Sequence, residues 1–245
     1  MSDHTLRRTG HWLAAGGRSR HTSGARAGDA VPVSGAGSMR AWLLAFGRAV
    51  VAALAFPVAV LLHELGHFAA YLVFGFSGVV LSFASVGWQG RHEFWRLVEA
   101  GDLAGAAAFA EPWQVAIGVA AGPVMTYITL VACILVARRY RAPALVLAIG
   151  LITPLRWLPA GVILVHRLLG RTMFGSGTDE GRLALLGFPE PLLLLLGLVG
   201  LIGGWTLLVR AVPRGSRTRR LAPVLAGIVA GGFAWARWLG PLLLP

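Results

Sequence analysis

The chain of 245 residues contains no lysine and no asparagine, and its only cysteine is Cys133. A single cysteine excludes an intrachain disulfide and any zinc site built from several cysteines. A metal site in this chain would therefore have to use histidine and carboxylate ligands. The absence of lysine and asparagine, with arginine supplying the basic side chains, is typical of a GC-rich genome and favours a bacterial source.

Charged residues are also scarce, at 13% of the chain against 56% hydrophobic residues. So few polar side chains cannot cover a soluble globule of this length, and the composition predicts a membrane protein. The net charge of +12 is compatible with nucleic-acid binding, but the arginines lie at the ends of apolar stretches. Loop orientation and anionic lipid headgroups account for them there, so we expect no nucleic-acid partner.

The N-terminal region, residues 1–38, is rich in glycine, serine, arginine and histidine and has almost no apolar periodicity. Such a segment cannot bury enough apolar surface to order itself, so residues 1–40 are interpreted as a disordered, arginine-rich cytoplasmic tail. A signal peptide is disfavoured because the charged region is too long and the apolar stretch after it exceeds signal-peptide length.

The rest of the chain holds five apolar stretches that are long enough to cross a hydrocarbon core as helices. They are residues 49–75, 113–137, 142–165, 190–209 and 221–245.

Arginine-rich segments precede the first stretch and occupy residues 138–141 and 210–220. Alternation through five spans puts all three segments on one side, which the positive-inside rule identifies as the cytoplasm. Loops 76–112 and 166–189 are then predicted outside. The chain is expected to be a multi-pass protein of a cell membrane, the inner membrane in a bacterium.

Two histidines and a glutamate interrupt the first apolar stretch, in the sequence LLHELGHFAAY of residues 61–71. Each ionisable group at the centre of a bilayer costs about 3 kcal/mol and needs a partner or a task. On a helix, His63 and His67 lie at i and i+4 on one face, where both imidazoles can reach one zinc ion. Glu64 is then placed to act as the general base on a zinc-bound water. The alternative is that the three are satisfied polar residues in a helix bundle.

The HELGH motif is followed by GVVLSFASVGW at residues 78–88 and by AAGPVMTYI at residues 120–128. In this order the motifs resemble those of the site-2 protease family of intramembrane zinc metallopeptidases, and the chain most resembles divergent members of that family. Gly78, Phe83, Ser85 and Gly87 partly match a membrane-associated strand of that family. Ala121, Gly122 and Pro123 match its A-G-P-x-x-N motif, with Thr126 in place of the asparagine.

The resemblance implies an all-α polytopic membrane protein, with about five transmembrane helices around an intramembrane metal site. It also implies a short membrane-associated strand after the first helix, within residues 78–88, that pairs with an unwound substrate segment. The alternative interpretation of these residues is a loop that returns along the membrane surface.

The third zinc ligand has to come from another part of the chain, since two histidines rarely hold zinc tightly. The family has an Asp-Gly motif, and the sequence GTDEGRLALLGFP at residues 177–189 resembles it with Asp179 in the aspartate position. This loop is predicted on the same membrane side as the end of the first span that carries the histidines. Asp179 is therefore the expected ligand, with Glu180 and His166 as alternatives. TDEGRLALL is also readable as a capped helix start, with Thr178 as the N-cap.

Three further polar residues lie within or beside the predicted spans. Arg156, in the sequence TPLRWLP, predicts a broken helix at membrane depth, with a structural ion pair favoured over a substrate contact. His166 near a span end and Arg237 between two tryptophans are given no catalytic role.

These expectations define a metalloprotease-like membrane core at residues 41–189, followed by C-terminal transmembrane helices at residues 190–245. The predicted function is zinc-dependent hydrolysis of peptide bonds in membrane-embedded proteins, with His63, His67 and Asp179 on one zinc ion and Glu64 as the base. The main alternative is an inactive, protease-like scaffold or regulatory binding protein. Zinc transport is less favoured, because one HExxH gives no line of metal sites across a bilayer.

Overall fold

The computed structural model describes residues 35–170 and 177–244. The predicted disordered tail lies outside the described residues as far as residue 34, as do residues 171–176 of the predicted loop 166–189. The helices are α1 (Gly35–Val73), α2 (Arg91–Glu99), α3 (Leu103–Ala106), α4 (Pro112–Arg139), α5 (Ala144–Ile152), α6 (Leu158–Leu168), α7 (Asp179–Leu185), α8 (Glu190–Ala211), α9 (Arg217–Ala234) and α10 (Gly240–Leu243). Two short strands, β1 (Val80–Ser82) and β2 (Ser85–Gly87), complete the described fold.

Five helical segments in the described part of the chain are long and apolar enough to cross a membrane. They are Ser38–Val73, Pro112–Arg139, Ala144–Leu168, Glu190–Ala211 and Arg214–Leu243. The predicted all-α architecture and the number of five long apolar helices are confirmed, and both are compatible with a multi-pass membrane protein. The first helix begins at Gly35, earlier than the predicted start of the first apolar stretch at residue 49.

The third of these segments is interrupted, as the sequence around Arg156 predicts. α5 and α6 are joined by a 3-10 turn at Thr153–Trp157 that contains Pro154, and Pro159 follows in the first turn of α6. Neither proline can donate a backbone hydrogen bond. The hydroxyl of Thr153 donates to the carbonyl of Ile149 at 2.7 Å. The turn changes the direction in which the intervening side chains point, and Arg156 lies within it.

Two residues after the end of α1, Gly75 takes a left-handed conformation with φ +74. The amide of Gly75 donates to Leu72 and the amide of Phe76 donates to Tyr71, both at 3.0 Å, which satisfies the last carbonyls of the helix. The chain then turns back into an antiparallel hairpin, in which β1 pairs with β2 and Leu81 lies opposite Val86. The segment predicted as one strand or as a surface loop is therefore a hairpin of two strands.

The tip of the hairpin is held by the C-terminal end of the chain. The amide of Phe83 donates to the carbonyl of Leu244 at 3.1 Å. The indole nitrogen of Trp235 donates to the carbonyl of Phe83 at 3.2 Å. These bonds place the end of the fifth apolar segment beside the hairpin.

The arginine-rich segments meet at the opposite end of the helices. Arg48 donates from Nη1 to the carbonyl of Arg219 at 3.3 Å, and Arg220 donates from Nη1 to the carbonyl of Arg141 at 2.7 Å. The basic segments therefore lie together, as alternation of the helices predicts. That this end faces the cytoplasm stays a prediction.

α1 is the central helix of the described fold, since it packs against α9, α4 and α5. Its contact with α9 depends on small residues. A Cβ atom at Gly227 would overlap the carbonyl oxygen of Ala49, and one at Gly231 would overlap the carbonyl oxygen of Ala53. Close backbone approach of this kind stabilises helix pairs where lipid removes the hydrophobic driving force.

We expect Gly227→Leu to destabilise the protein, because the added side chain meets the backbone of α1. Overpacking of this kind costs at least about 1 kcal/mol. Gly203→Leu is the matched control, since Gly203 lies in α8 with open space around it and gains the same helix propensity. Thermal unfolding in detergent should show a lower midpoint for Gly227→Leu alone. Equal midpoints for the two variants would contradict the close contact of α1 and α9.

Candidate metal centre

The histidines of the HELGH motif lie where the backbones of α1 and α4 come close together. A Cβ atom at Gly66 would overlap the carbonyl oxygen of Ala121, so the two backbones touch at this level. A Cβ atom at Gly122 would overlap Nε2 of His67 and come within 2.8 Å of Nε2 of His63. Gly122 of the AAGP sequence therefore leaves the space that both imidazoles occupy.

Residues of α4 hold both imidazole rings by their Nδ1 atoms. The hydroxyl of Thr126 donates to the carbonyl of Gly122 at 3.1 Å, so its oxygen accepts the Nδ1 proton of His63 at 2.7 Å. Nδ1 of His67 donates to the carbonyl of Gly118 at 2.8 Å. In the neutral rings, both Nε2 atoms therefore carry the lone pairs that can bind a cation. Hydrogen bonds at the distal nitrogen are the usual means of orienting metal-binding histidines.

Asp179 completes a group of three candidate ligands. Its Oδ2 lies 3.0 Å from Nε2 of His63, its Oδ1 lies 3.5 Å from Nε2 of His67, and the two Nε2 atoms are 3.1 Å apart. All three residues are buried. Helix α7 positions Asp179, and the hydroxyl of Thr178 caps this helix by accepting the amide of Gly181 at 3.1 Å. The capped helix start and the ligand position therefore occur together.

This group, His63, His67 and Asp179, could hold a metal ion, with one ligand atom from each residue. Tetrahedral zinc with ligands at about 2.0–2.1 Å places neighbouring ligand atoms ~3.3 Å apart. The three observed separations, from 3.0 to 3.5 Å, lie around that value. The spacing and the donor atoms thus fit a small divalent cation.

The two adjacent carboxyl groups of α7 are in different electrostatic states. Burial alone would raise the pKa of Asp179, but hydrogen bonds to His63 and His67 hold it well below its ordinary value. Burial raises the pKa of Glu180, which belongs to no candidate metal group among the described residues. Of the alternatives for the third ligand, the structure brings Asp179 to the histidines and leaves Glu180 and His166 outside the group.

Glu64 lies beside this group and is almost completely buried, with 1% of its surface exposed. Its Oε1 has no hydrogen-bond donor in the described structure. The closest cationic group is the guanidinium of Arg156, whose Nη2 lies 3.7 Å from Oε1 of Glu64. A buried carboxylate without a hydrogen bond is costly unless it has a task.

For Arg156, the sequence predicts an ion pair but does not identify its partners. The 3-10 turn directs its guanidinium into the centre, where Nη2 lies 2.8 Å from Nε2 of His63 and 3.4 Å from Oδ2 of Asp179. The expected ion pairing is confirmed, and its partners are carboxylates of the candidate site. The only sequence signal for this role is the unusual position of an arginine between two prolines inside an apolar span.

A cavity of about 220 Å³ opens onto the centre. Glu64, His67 and Asp179 line it, together with Arg156, Arg182 and the hairpin residues Ser85 and Val86. The hairpin therefore forms one wall of the space in front of the candidate ligands. His166 and Arg237 do not line this cavity.

Comparison with known proteins adds no relative, because no family model, no curated protein and no solved structure matches the chain. The resemblance to the site-2 protease family thus remains a prediction from the motifs.

Asp179→Ala should lower metal content, because it removes one of three protein ligands. The matched control is Glu180→Ala, which removes the neighbouring buried carboxyl group and should retain the metal. Metal analysis of the purified variants by mass spectrometry distinguishes the two. Loss of metal from Glu180→Ala alone would assign the ligand to Glu180 instead.

Thr126→Val should weaken zinc binding by about tenfold to hundredfold, the usual effect of losing the group that orients a ligand histidine. Valine has nearly the same shape but leaves Nδ1 of His63 without an acceptor. Thr126→Ser keeps the hydroxyl and should bind zinc nearly as the wild type does. Competition with a chromogenic chelator measures the affinities; equal values for the valine and serine variants would remove Thr126 from the support of His63.

Proposed function

We propose that the protein is a zinc-dependent endopeptidase that hydrolyses peptide bonds of membrane-embedded proteins. The observation that carries the proposal is the position of Glu64. A buried carboxylate without a hydrogen-bond donor lies beside a His63, His67 and Asp179 group that is spaced for one metal ion. Hydrolysis needs this combination, in which a proton acceptor stands next to a Lewis acid.

Zinc is the metal that we assign to the centre. Two imidazole nitrogens and one carboxylate oxygen are a frequent ligand set of catalytic zinc, which keeps a further position open for water or substrate. A bound zinc ion supplies Lewis-acid activation of a water molecule and of the scissile carbonyl group. Non-haem iron also uses two histidines and one carboxylate. The HExxH order with its adjacent glutamate favours zinc.

Glu64 is the proposed general base. Its Oε1 accepts a proton from the attacking water and can deliver that proton to the amine of the leaving peptide. Glu64 lines the same cavity as His67 and Asp179, so the proton acceptor faces the space that a substrate would enter. The guanidinium of Arg156, 3.7 Å from Oε1, offsets part of the cost of burying this carboxylate as an anion.

The hairpin supports a membrane-embedded peptide as the substrate. The sheet has two strands in the described structure, so one edge of β2 has no strand partner. Ser85 and Val86 of β2 line the cavity of the metal centre. A substrate helix hides its carbonyl groups in its own hydrogen bonds and must unwind before cleavage. The free edge of β2 can bind the unwound segment through backbone hydrogen bonds.

The alternative function, an inactive scaffold or regulatory binding protein, needs neither the metal nor the buried glutamate. It therefore gives no reason for keeping Glu64 without a hydrogen bond beside three candidate ligands. Zinc transport is less well supported, since the described residues contain a single candidate metal group.

Glu64→Gln tests the function directly. We expect one zinc ion per chain in both wild type and variant, and a kcat/KM at least about a hundredfold lower in the variant, because an amide cannot accept the proton of water. The control is Glu111→Gln, which neutralises an exposed carboxylate at the start of α4. The assay uses proteoliposomes and quenched-fluorescent single-span peptides that carry a helix-destabilising glycine-proline pair.

Three results would count against this proposal. Undiminished cleavage by Glu64→Gln would remove Glu64 as the base. No cleavage of any peptide by the zinc-loaded wild type would favour the scaffold. Iron rather than zinc in the purified protein would change the proposed chemistry.

A further inference from the structure

A second and larger cavity, of about 500 Å³, adjoins the metal-centre cavity on the hairpin side of the molecule. The two cavities share Gly177 and Arg182 in their walls. We call the larger one the vestibule, and its other lining residues are Trp88, Arg91, His92, Trp95 and Glu99. Because the two cavities share wall residues, a polypeptide bound in the metal-centre cavity would have the vestibule beside it.

Arg91 is a half-buried cation of the vestibule wall. It is the first residue of α2, and its side chain makes no hydrogen bond or ion pair with any residue between 35–170 or 177–244. The pKa of Arg91 is lowered, mainly by burial and secondly by the positive charge of Arg182. A guanidinium that is partly desolvated and faces a second cation is unfavourable without an anionic partner.

Arg182 supplies a second cation at the boundary between the two cavities. Its guanidinium lies over the ring of Trp95, 5.5 Å from the centroid. This stacking restricts the side chain and keeps the charge at the cavity wall. A planar guanidinium held in this way suits bidentate recognition of a carboxylate.

The described carboxylates near these two arginines are either exposed or close to another cation. Glu99 is exposed at its rim and His92 is also exposed. Glu64 and Asp179 lie deeper, where each is within ion-pair distance of Arg156. Among the described residues, the vestibule wall therefore carries two arginines and one solvated carboxylate.

We propose that Arg91 and Arg182 bind a carboxylate of the substrate, an acidic side chain in the segment that leaves the membrane next to the cleaved bond. This inference rests on the proposed function, because it identifies the ligand as a substrate. A polypeptide is favoured over a lipid headgroup because the vestibule adjoins the metal-centre cavity. The tryptophans Trp88 and Trp95 add apolar walls for the stem of the acidic residue.

The test measures binding, so that it does not depend on catalysis. Two fluorescent single-span peptides are compared, identical except for glutamate or glutamine beside the membrane span. Both are added to full-length Glu64→Gln protein in phosphatidylcholine nanodiscs, where cleavage is suppressed. We expect the glutamate peptide to bind about tenfold to hundredfold more tightly, the effect of one charge-assisted contact. High salt should reduce this ratio.

The matched variants separate Arg91 from other arginines. Adding Arg91→Gln should bring the ratio of the two dissociation constants close to one, and Arg91→Glu should favour a lysine-bearing peptide. Arg96→Gln is the control on the same helix, because Arg96 is exposed and already bound to Glu93 at 2.7 Å. It should leave the ratio unchanged.

Each of three other outcomes would refute either the vestibule proposal or the proposed function. Equal affinities of the glutamate and glutamine peptides would refute the vestibule proposal, even if the wild type cleaves both. Selective binding without any cleavage by wild type would keep the vestibule and refute the protease. If phosphatidylglycerol is retained by Arg91-containing protein and the peptides bind equally, the site belongs to a lipid headgroup.

Discussion

The close contact between α1 and α4 is the interaction on which the candidate site depends. Gly66 lets the two backbones touch at Ala121, and Gly122 leaves room for both imidazoles. The same stretch of α4 provides the carbonyl of Gly118 and the hydroxyl of Thr126, which orient the rings. Packing and ligand orientation are therefore not separate properties here. A wider separation of the two helices would remove the acceptors and the alignment of the Nε2 atoms together.

The sequence is sufficient to predict the parts of this site that follow from regular helix geometry. His63 and His67 are four residues apart, so any helix through them places both on one face. The long apolar stretches predict helices because a bilayer leaves few other backbone arrangements. The approach of α7 to the site does not follow from helix periodicity, since α7 is a short helix in a predicted loop. Asp179 is predicted by family resemblance and by the alternation of spans, and its capping residue Thr178 follows from local preference.

Other features depend on tertiary contacts that leave little trace in the sequence. The strands β1 and β2 have three residues each, too few for an alternating pattern to distinguish a hairpin from a loop. The tip of the hairpin is held by Trp235 and Leu244. Trp235 is more than 150 positions away in sequence from its partner Phe83. The direction of Arg156 depends on a 3-10 turn, and prolines predict the break without predicting where the intervening side chain points. Similarly, Arg91 lies in α2 and Arg182 in α7, and nothing in either segment indicates that they share a cavity wall.

The charges of the centre explain why the arrangement is tolerable in an apolar helix bundle. Asp179 lies within ion-pair distance of both histidines and Arg156, so its charge is shared among several partners. Glu64 has only the more distant Arg156 at 3.7 Å, and its Oε1 has no donor among the described residues. A carboxylate that is held near a cation but not bound to it keeps a lone pair available for a proton. The least satisfied polar atom of the centre is thus the one with the most direct chemical use. This difference between two buried carboxylates is the physical basis for assigning one to the metal and the other to proton transfer.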